Sequence, residues 1–220
     1  PFPKERLADE LGKHHLTQVL HNLPAGDWAA GERGIACHPS RTGEFQDGVG
    51  QAIEYASALG CKQINCLAGI APKDASLEQM QRAFVDNLKF AANALSAANI
   101  RLLIEPINTR DIPGFFLSGT KQALAIMDEV HSPNLFLQYD VYHMQIMQGD
   151  LAPTLQRNLS RIQHVQIADN PGRNEPGTGE IHYPFLFQFL DGLGYGGWIG
   201  CEYKPKTTTL EGLLWLKPYL

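Results

Sequence analysis

The feature that most constrains this chain is an alternation. Apolar runs of strand length recur at residues 16–22, 62–69, 100–108, 134–140, 161–169 and 197–203, and segments of helical period lie between several of them. The clearest helix spans residues 76–99, where Leu77, Met80, Phe84, Leu88, Ala91 and Leu95 share one face. Ser76 stands where an N-cap belongs, and Gln79 three residues on completes a capping box. Residues 119–130 and 150–159 also read as helices. A helix with one apolar face needs a layer beneath it. Strand–helix alternation supplies that layer as parallel strands joined by right-handed crossovers. Such strands build either an open doubly wound sheet or a closed barrel. No GxGxxG follows a strand and no Walker loop occurs, which disfavours a nucleotide-binding open sheet. No Gly-, Ser- or Pro-rich linker divides the chain, so one domain over residues 1–220 is expected.

Composition removes other classes. The net charge is -5 and no run of Lys and Arg occurs, so nucleic acid is not an expected partner. No apolar stretch approaches the ~18 residues that span a bilayer. The opening residues, PFPKERLADELGKHH, read as a polar helix without the pattern of a secretion signal. The cysteines at 37, 61, 66 and 201 form no CxxC pair, and Cys66 and Cys201 lie inside apolar runs. A reduced, cytoplasmic protein is expected rather than a disulfide framework or a cysteine-bound zinc.

The last four strands share a further property. "LLIEP" carries Glu105, "FLQYD" carries Asp140, "HVQIAD" carries Gln166 and "IGCEY" carries Glu202. In a barrel the carboxyl ends of all strands converge on one rim. Three carboxylates brought together there repel one another unless something positive holds them. An all-oxygen donor set favours Mg²⁺ or Mn²⁺ over zinc or copper. The competing reading is four separate polar strand ends, each capping a loop or reaching water. Strand parity puts Lys204 on the face of Glu202, and His164 on the face of Gln166. His164 thus competes with Gln166 as a ligand, or is a satisfied core residue.

The loops after the strands carry more polar groups. "YDVYHM" places His143 three residues beyond Asp140. "ADNPGRNEPGTGEIHY" holds three glycines, two prolines, Arg173, Glu175 and Glu180. Long loops at this face are commonly functional. Arg173 suits a substrate carboxylate, or else a surface ion pair with Glu175. Residues 22–41, with Trp28 and several glycines, read as a lid over the site or a packed Ω-loop.

Together "HNLPAGDWAAGERGIAC", "IEPIN", "QYDVYHMQ", "HVQIADNPGRNEPGTGEIHYPFLF" and "GCEYKP" resemble the hydroxypyruvate isomerase family across essentially the whole chain. That family sits among the xylose isomerase-like barrels, beside the ketose 3-epimerases. The resemblance implies a (β/α)₈ TIM barrel with one divalent metal, held here by Glu105, Asp140, Gln166 and Glu202. It makes Glu105 and Glu202 the acid/base pair, and His143, Arg173 and Lys204 substrate contacts. Gln166 stands where the epimerases have histidine, which favours the isomerase branch. The implied reaction interconverts hydroxypyruvate and tartronate semialdehyde through an enediolate. Alternatives are a four-carbon oxo-acid isomerase, a ketose 3-epimerase and a non-catalytic binding barrel. Only six strands are legible, so the first two strands of the barrel are expected to be missing, leaving two open sheet edges. The expected partner is a small hydroxy- or oxo-acid, without nucleic acid or membrane; the sequence leaves homo-oligomerisation open.

Overall fold

In the computed structural model, which describes residues 2–220, the six apolar runs form six parallel strands. They are β1 (His21–Asn22), β2 (Gln63–Cys66), β3 (Arg101–Ile104), β4 (Leu135–Asp140), β5 (Ile162–Ile167) and β6 (Trp198–Cys201). Helix α1 (Lys4–Lys13) precedes them. The crossovers contain α2 (Thr42–Leu59), α3 (Leu77–Ala97), α4 (Thr120–Val130), the pair α5 (Val141–Met147) and α6 (Leu151–Asn158), and α7 (Tyr183–Gly192). The strands pair strictly in chain order, β1 to β6. A doubly wound sheet would reverse its order at a switch point; monotonic order with a helix in every crossover is barrel winding. Among the described residues β1 and β6 do not pair with each other, so the sheet is an open segment of a barrel with an edge on each side.

The core lies on both faces of the central strands. Leu102, Leu103 and Ile104 of β3 are all fully buried, as expected for a strand covered by helices outside and by barrel interior inside. Phe84, Leu88 and Leu95 of α3 are buried too, and α3 packs against β3. Its expected N-terminus is present. Ser76 Oγ accepts the Gln79 N–H at 3.2 Å, and Gln79 Oε1 accepts the Ser76 N–H at 2.8 Å. Toward the open edge the cover thins, and Trp198 of β6 is 57% exposed.

Two elements differ from the sequence reading. The strand expected over residues 16–22 is reduced to His21–Asn22. Its ladder begins at His21 opposite Ile64, and β2 itself starts at Gln63, so the residues before Leu20 have no strand beside them to pair with. Helix α2 was not anticipated, because Gly43, Gly48 and Gly50 interrupt its pattern and lower its intrinsic propensity. Tertiary contact overrides that cost: Phe45, Val49, Ala52 and Ala56 bury one face. All four cysteines are unpaired. Among the described residues no helix is long and apolar enough to cross a membrane.

Candidate active site

The barrel winding delivers the four strand-end residues to one rim. Glu105 follows β3 by one residue, Asp140 closes β4, Gln166 is the penultimate residue of β5, and Glu202 follows β6 by one residue. Asp140 and Gln166 are direct ladder partners, and Gln166 faces Gly200 on the other side. Glu105, Asp140, Glu202 and His143 each bring a ligand-type atom within 4.8 Å of the others. His143 joins through α5. Asp140 is the N-cap of that helix, and its Oδ1 accepts the His143 N–H at 3.1 Å.

The electrostatics of this cluster are unfavourable on their own. Burial, then the charges of Asp140 and Glu202, push Glu105 well above its ordinary 4.5. Burial raises Asp140 from 3.8 to about 6. Glu202, half-exposed, is raised by burial and by Asp140, and is held back by Arg173. Glu105 Oε1 and Asp140 Oδ2 are buried without any hydrogen-bond partner. Unpartnered anionic oxygens in a buried cluster fit a hard divalent cation, because only a positive charge repays their desolvation.

Neutral groups hold the carboxylates in place. Asn65 Nδ2 donates to Glu105 Oε2 at 2.9 Å and to Asn22 Oδ1 at 3.1 Å. Gln138 Nε2 donates to Gln166 Oε1 at 2.7 Å, so that carbonyl oxygen is already engaged. Asn108 decides the tautomer of His143. Its Oδ1 accepts the Asp111 N–H at 2.7 Å, which fixes its amide so that Nδ2 faces His143 Nδ1 at 2.6 Å. Nδ1 is therefore an acceptor and Nε2 carries the proton. Burial lowers His143 to about 4, so the ring is neutral near pH 7. Its Nε2, 3.7 Å from Asp140 Oδ2, is a donor aimed at the site rather than a ligand lone pair. His164, the expected rival of Gln166, is buried in the barrel interior with Nδ1 unpartnered. Gly200 makes room for it, since a Cβ there would lie 2.8 Å from its Nε2.

A cavity of about 600 Å³ opens above the cluster. Arg173 and Lys204 line it together with Glu105, His143 and Glu202. Arg173 does not pair with Glu175. Its Nη2 donates to Glu202 Oε2 at 3.0 Å, its Nη1 lies 3.7 Å from Asp111 Oδ2, and its guanidinium lies over the Tyr142 ring at 5.2 Å. The loop presenting it is tied down by Asp169, whose carboxylate accepts N–H groups from Gly177, Gly179 and Ile181 at 2.9, 2.9 and 3.1 Å. Gly179 is obligatory there, because a Cβ would stand 2.0 Å from the Asn170 carbonyl oxygen. Lys204 is linked to the same loop by its N–H to the Arg173 carbonyl at 2.8 Å. In the loop over residues 22–41, Ile35, Ala36 and Cys37 are buried, while Trp28 is 56% exposed and lines the cavity wall with Arg33. Sequence reading missed Asn65, Asn108 and Asp111. Their only trace was polar residues at or just after strand ends, which many loops share.

Comparison with known proteins agrees with this geometry. The family described as "Xylose isomerase-like TIM barrel" matches residues 1–219. The chain is 57% identical over 215 residues to "Hydroxypyruvate isomerase" of Escherichia coli (strain K12), covering 98% of this chain and 83% of that protein. It is 49% identical over 223 residues to "2-oxo-tetronate isomerase" of Cupriavidus necator, covering 100% of this chain and 86% of that protein. A crystal structure described as an AP endonuclease, family 2, from Brucella melitensis has a TM-score of 0.96 at 44% identity, over 99% of this chain and 84% of that one. With its parallel strands wound in chain order and its carboxylates gathered at their carboxyl ends, the chain belongs to the xylose isomerase-like TIM barrels.

Proposed function

We propose that this protein is a metal-dependent isomerase interconverting hydroxypyruvate and 2-hydroxy-3-oxopropanoate. The observation that carries the reading is the meeting of Glu105, Asp140 and Glu202, with buried unpartnered oxygens, under a cavity lined by cations. The relative named hydroxypyruvate isomerase supports the substrate assignment.

Glu105, Asp140, Gln166 and Glu202 would hold the cation, Mg²⁺ or Mn²⁺, with Gln166 turning its Oε1 from Gln138. When bound, the cation supplies Lewis-acid stabilisation of the negative charge that develops on two adjacent substrate oxygens. Glu105 and Glu202 transfer the protons. One carboxylate removes a proton from the hydroxymethyl carbon, and the electron pair moves into the neighbouring carbonyl to give an enediolate. A glutamate returns a proton to the former carbonyl carbon, and the hydroxyl proton moves between the two oxygens, leaving an aldehyde. Acid/base assistance of this kind contributes ~10²–10⁴ in rate. Arg173 favours the ionised form of Glu202, against burial and Asp140, and aligns it through their ion pair. Neutral His143 donates from Nε2 to a substrate oxygen, and Lys204 and Arg173 complete the substrate-facing wall.

A four-carbon oxo-acid is the second reading. It is favoured by the relative named 2-oxo-tetronate isomerase. A nucleic-acid substrate is disfavoured by the net charge of -5 and the lack of any basic run. Proton NMR of hydroxypyruvate in D₂O with the metal-loaded protein, with and without chelator, tests the proposal. Chelator-sensitive formation of 2-hydroxy-3-oxopropanoate is expected. Turnover of the four-carbon acid alone moves the assignment to the second reading. Absence of both turnover and metal uptake leaves a non-catalytic binding barrel.

A further inference from the structure

Three cations line the cavity, Arg33, Arg173 and Lys204, and they are not equivalent. Arg173 already serves Glu202 and Asp111. Arg33 serves no carboxylate among the described residues. Its Nη1 donates to the carbonyl oxygens of Trp28 at 3.1 Å and Glu32 at 2.7 Å, and its guanidinium carbon lies 4.0 Å from the Trp28 ring centroid. Nε and Nη2 have no hydrogen-bond partner among the described residues.

The segment that presents Arg33 is built rather than loose. Asp27 Oδ1 accepts the Ala29 and Ala30 N–H groups at 3.0 and 3.1 Å. The Glu32 carboxylate is ion-paired with Arg41. Gly34 donates its N–H to the Ala25 carbonyl at 2.9 Å. Gly34 has φ +109°, and a Cβ there would lie 2.4 Å from the Leu67 carbonyl oxygen, so the loop is pressed onto the chain just past β2. Trp28 fixes the plane of the guanidinium, and the backbone carbonyls occupy one nitrogen. What remains is a half-buried guanidinium edge at the wall of the cavity, pre-oriented for a planar two-oxygen anion.

We infer that Arg33, stacked on Trp28, is the specificity-determining group that receives the substrate's carboxylate and makes the site select oxo-acids over neutral ketoses. This rests on the isomerase reading for the identity of the substrate, but not for the selection itself. Two inert probes isolate that selection, because pyruvate and pyruvamide differ only by carboxylate against a neutral carboxamide and neither carries the hydroxymethyl carbon that the reaction deprotonates. Their binding to the metal-loaded chain is followed by NMR titration for the unchanged protein, Arg33→Met and Arg33→Lys. Hydroxypyruvate and dihydroxyacetone turnover is measured alongside, with thermal melting to confirm folding.

The unchanged protein should prefer pyruvate. Arg33→Met should reduce that preference roughly 10- to 100-fold, the scale of a lost charge-assisted hydrogen-bond pair. Arg33→Lys should fall between, since it keeps the charge and loses the fork. KM for hydroxypyruvate should rise more than kcat falls. A purely structural brace would weaken both probes equally, and that result overturns the inference. So does a preference retained in folded Arg33→Met, or no acid preference in the unchanged protein. Arg33-dependent acid preference without isomerisation of hydroxypyruvate would remove the isomerase reading and leave Arg33 in place. Isomerisation with an Arg33-independent preference would do the reverse.

Discussion

Asp140→Asn should stabilise the metal-free protein, and only above the pH at which Asp140 ionises. Burial raises this carboxyl from 3.8 to about 6 in the folded chain. Between those two values the folded state binds the proton and the unfolded state has released it, so stability falls as pH rises through the window. Above it the accumulated penalty is about 3 kcal/mol, at 1.36 kcal/mol per pKa unit. Asparagine cannot ionise, yet its Oδ1 can still accept the His143 N–H that caps α5. At pH 8 the variant should melt roughly 6–12 °C higher than the unchanged metal-free protein, using about 2–4 °C per kcal/mol for a chain of this size. Near pH 4 the difference should shrink to a small residue of that gain. A divalent cation reverses the ranking: at a thousandfold excess over Kd it should stabilise the unchanged protein by ~4.1 kcal/mol, more than the penalty it offsets, and leave Asp140→Asn nearly unmoved. Calorimetry at pH 4 and pH 8, with and without Mn²⁺, reads all four states. A variant equally destabilised at both pH values would refute the reasoning, because Asp140 would then be a structural partner rather than a desolvated charge awaiting a cation.

Glu105→Gln and Glu202→Gln should each lower kcat by ~10²–10⁴ with the fold intact by circular dichroism, and near-normal kcat in both would remove the acid/base pair. Asn108→Ala frees the His143 tautomer; a drop of about 10- to 100-fold in kcat with a smaller change in KM is expected, the scale seen for partners that orient a site histidine. Gly34→Ala should destabilise by ~1–3 kcal/mol in denaturant titration, because it forces a left-handed alanine against the Leu67 carbonyl and must shift the loop that carries Arg33. Arg173→Ala should lower kcat as well as raise KM, since Glu202 loses its ion pair at 3.0 Å; a pure KM effect would show that the pair does not tune the base.

The βα alternation, the parallel sheet, the capped helix after Ser76 and the strand-end residues Glu105, Asp140, Gln166 and Glu202 are all legible in the amino-acid sequence. Each of these is written locally: apolar period, cap chemistry, and a polar side chain where an apolar run stops. Strand order in a barrel then brings those ends to one rim without further information. What the strand ends do to one another emerges only once the chain is folded. The register that sets Asp140 beside Gln166, the engagement of Gln166 by Gln138, the choice of Glu202 over Glu175 as the partner of Arg173, and the His143 tautomer fixed by Asn108 all depend on contacts between residues 26 to 35 positions apart. Helix α2 belongs with them, since its glycines read as breaks until one face is buried. Arg33 was legible only as one cation in a glycine-rich loop. That it stacks on Trp28 and faces the cavity follows from Gly34 pressing the loop onto Leu67, a close approach that no local pattern encodes.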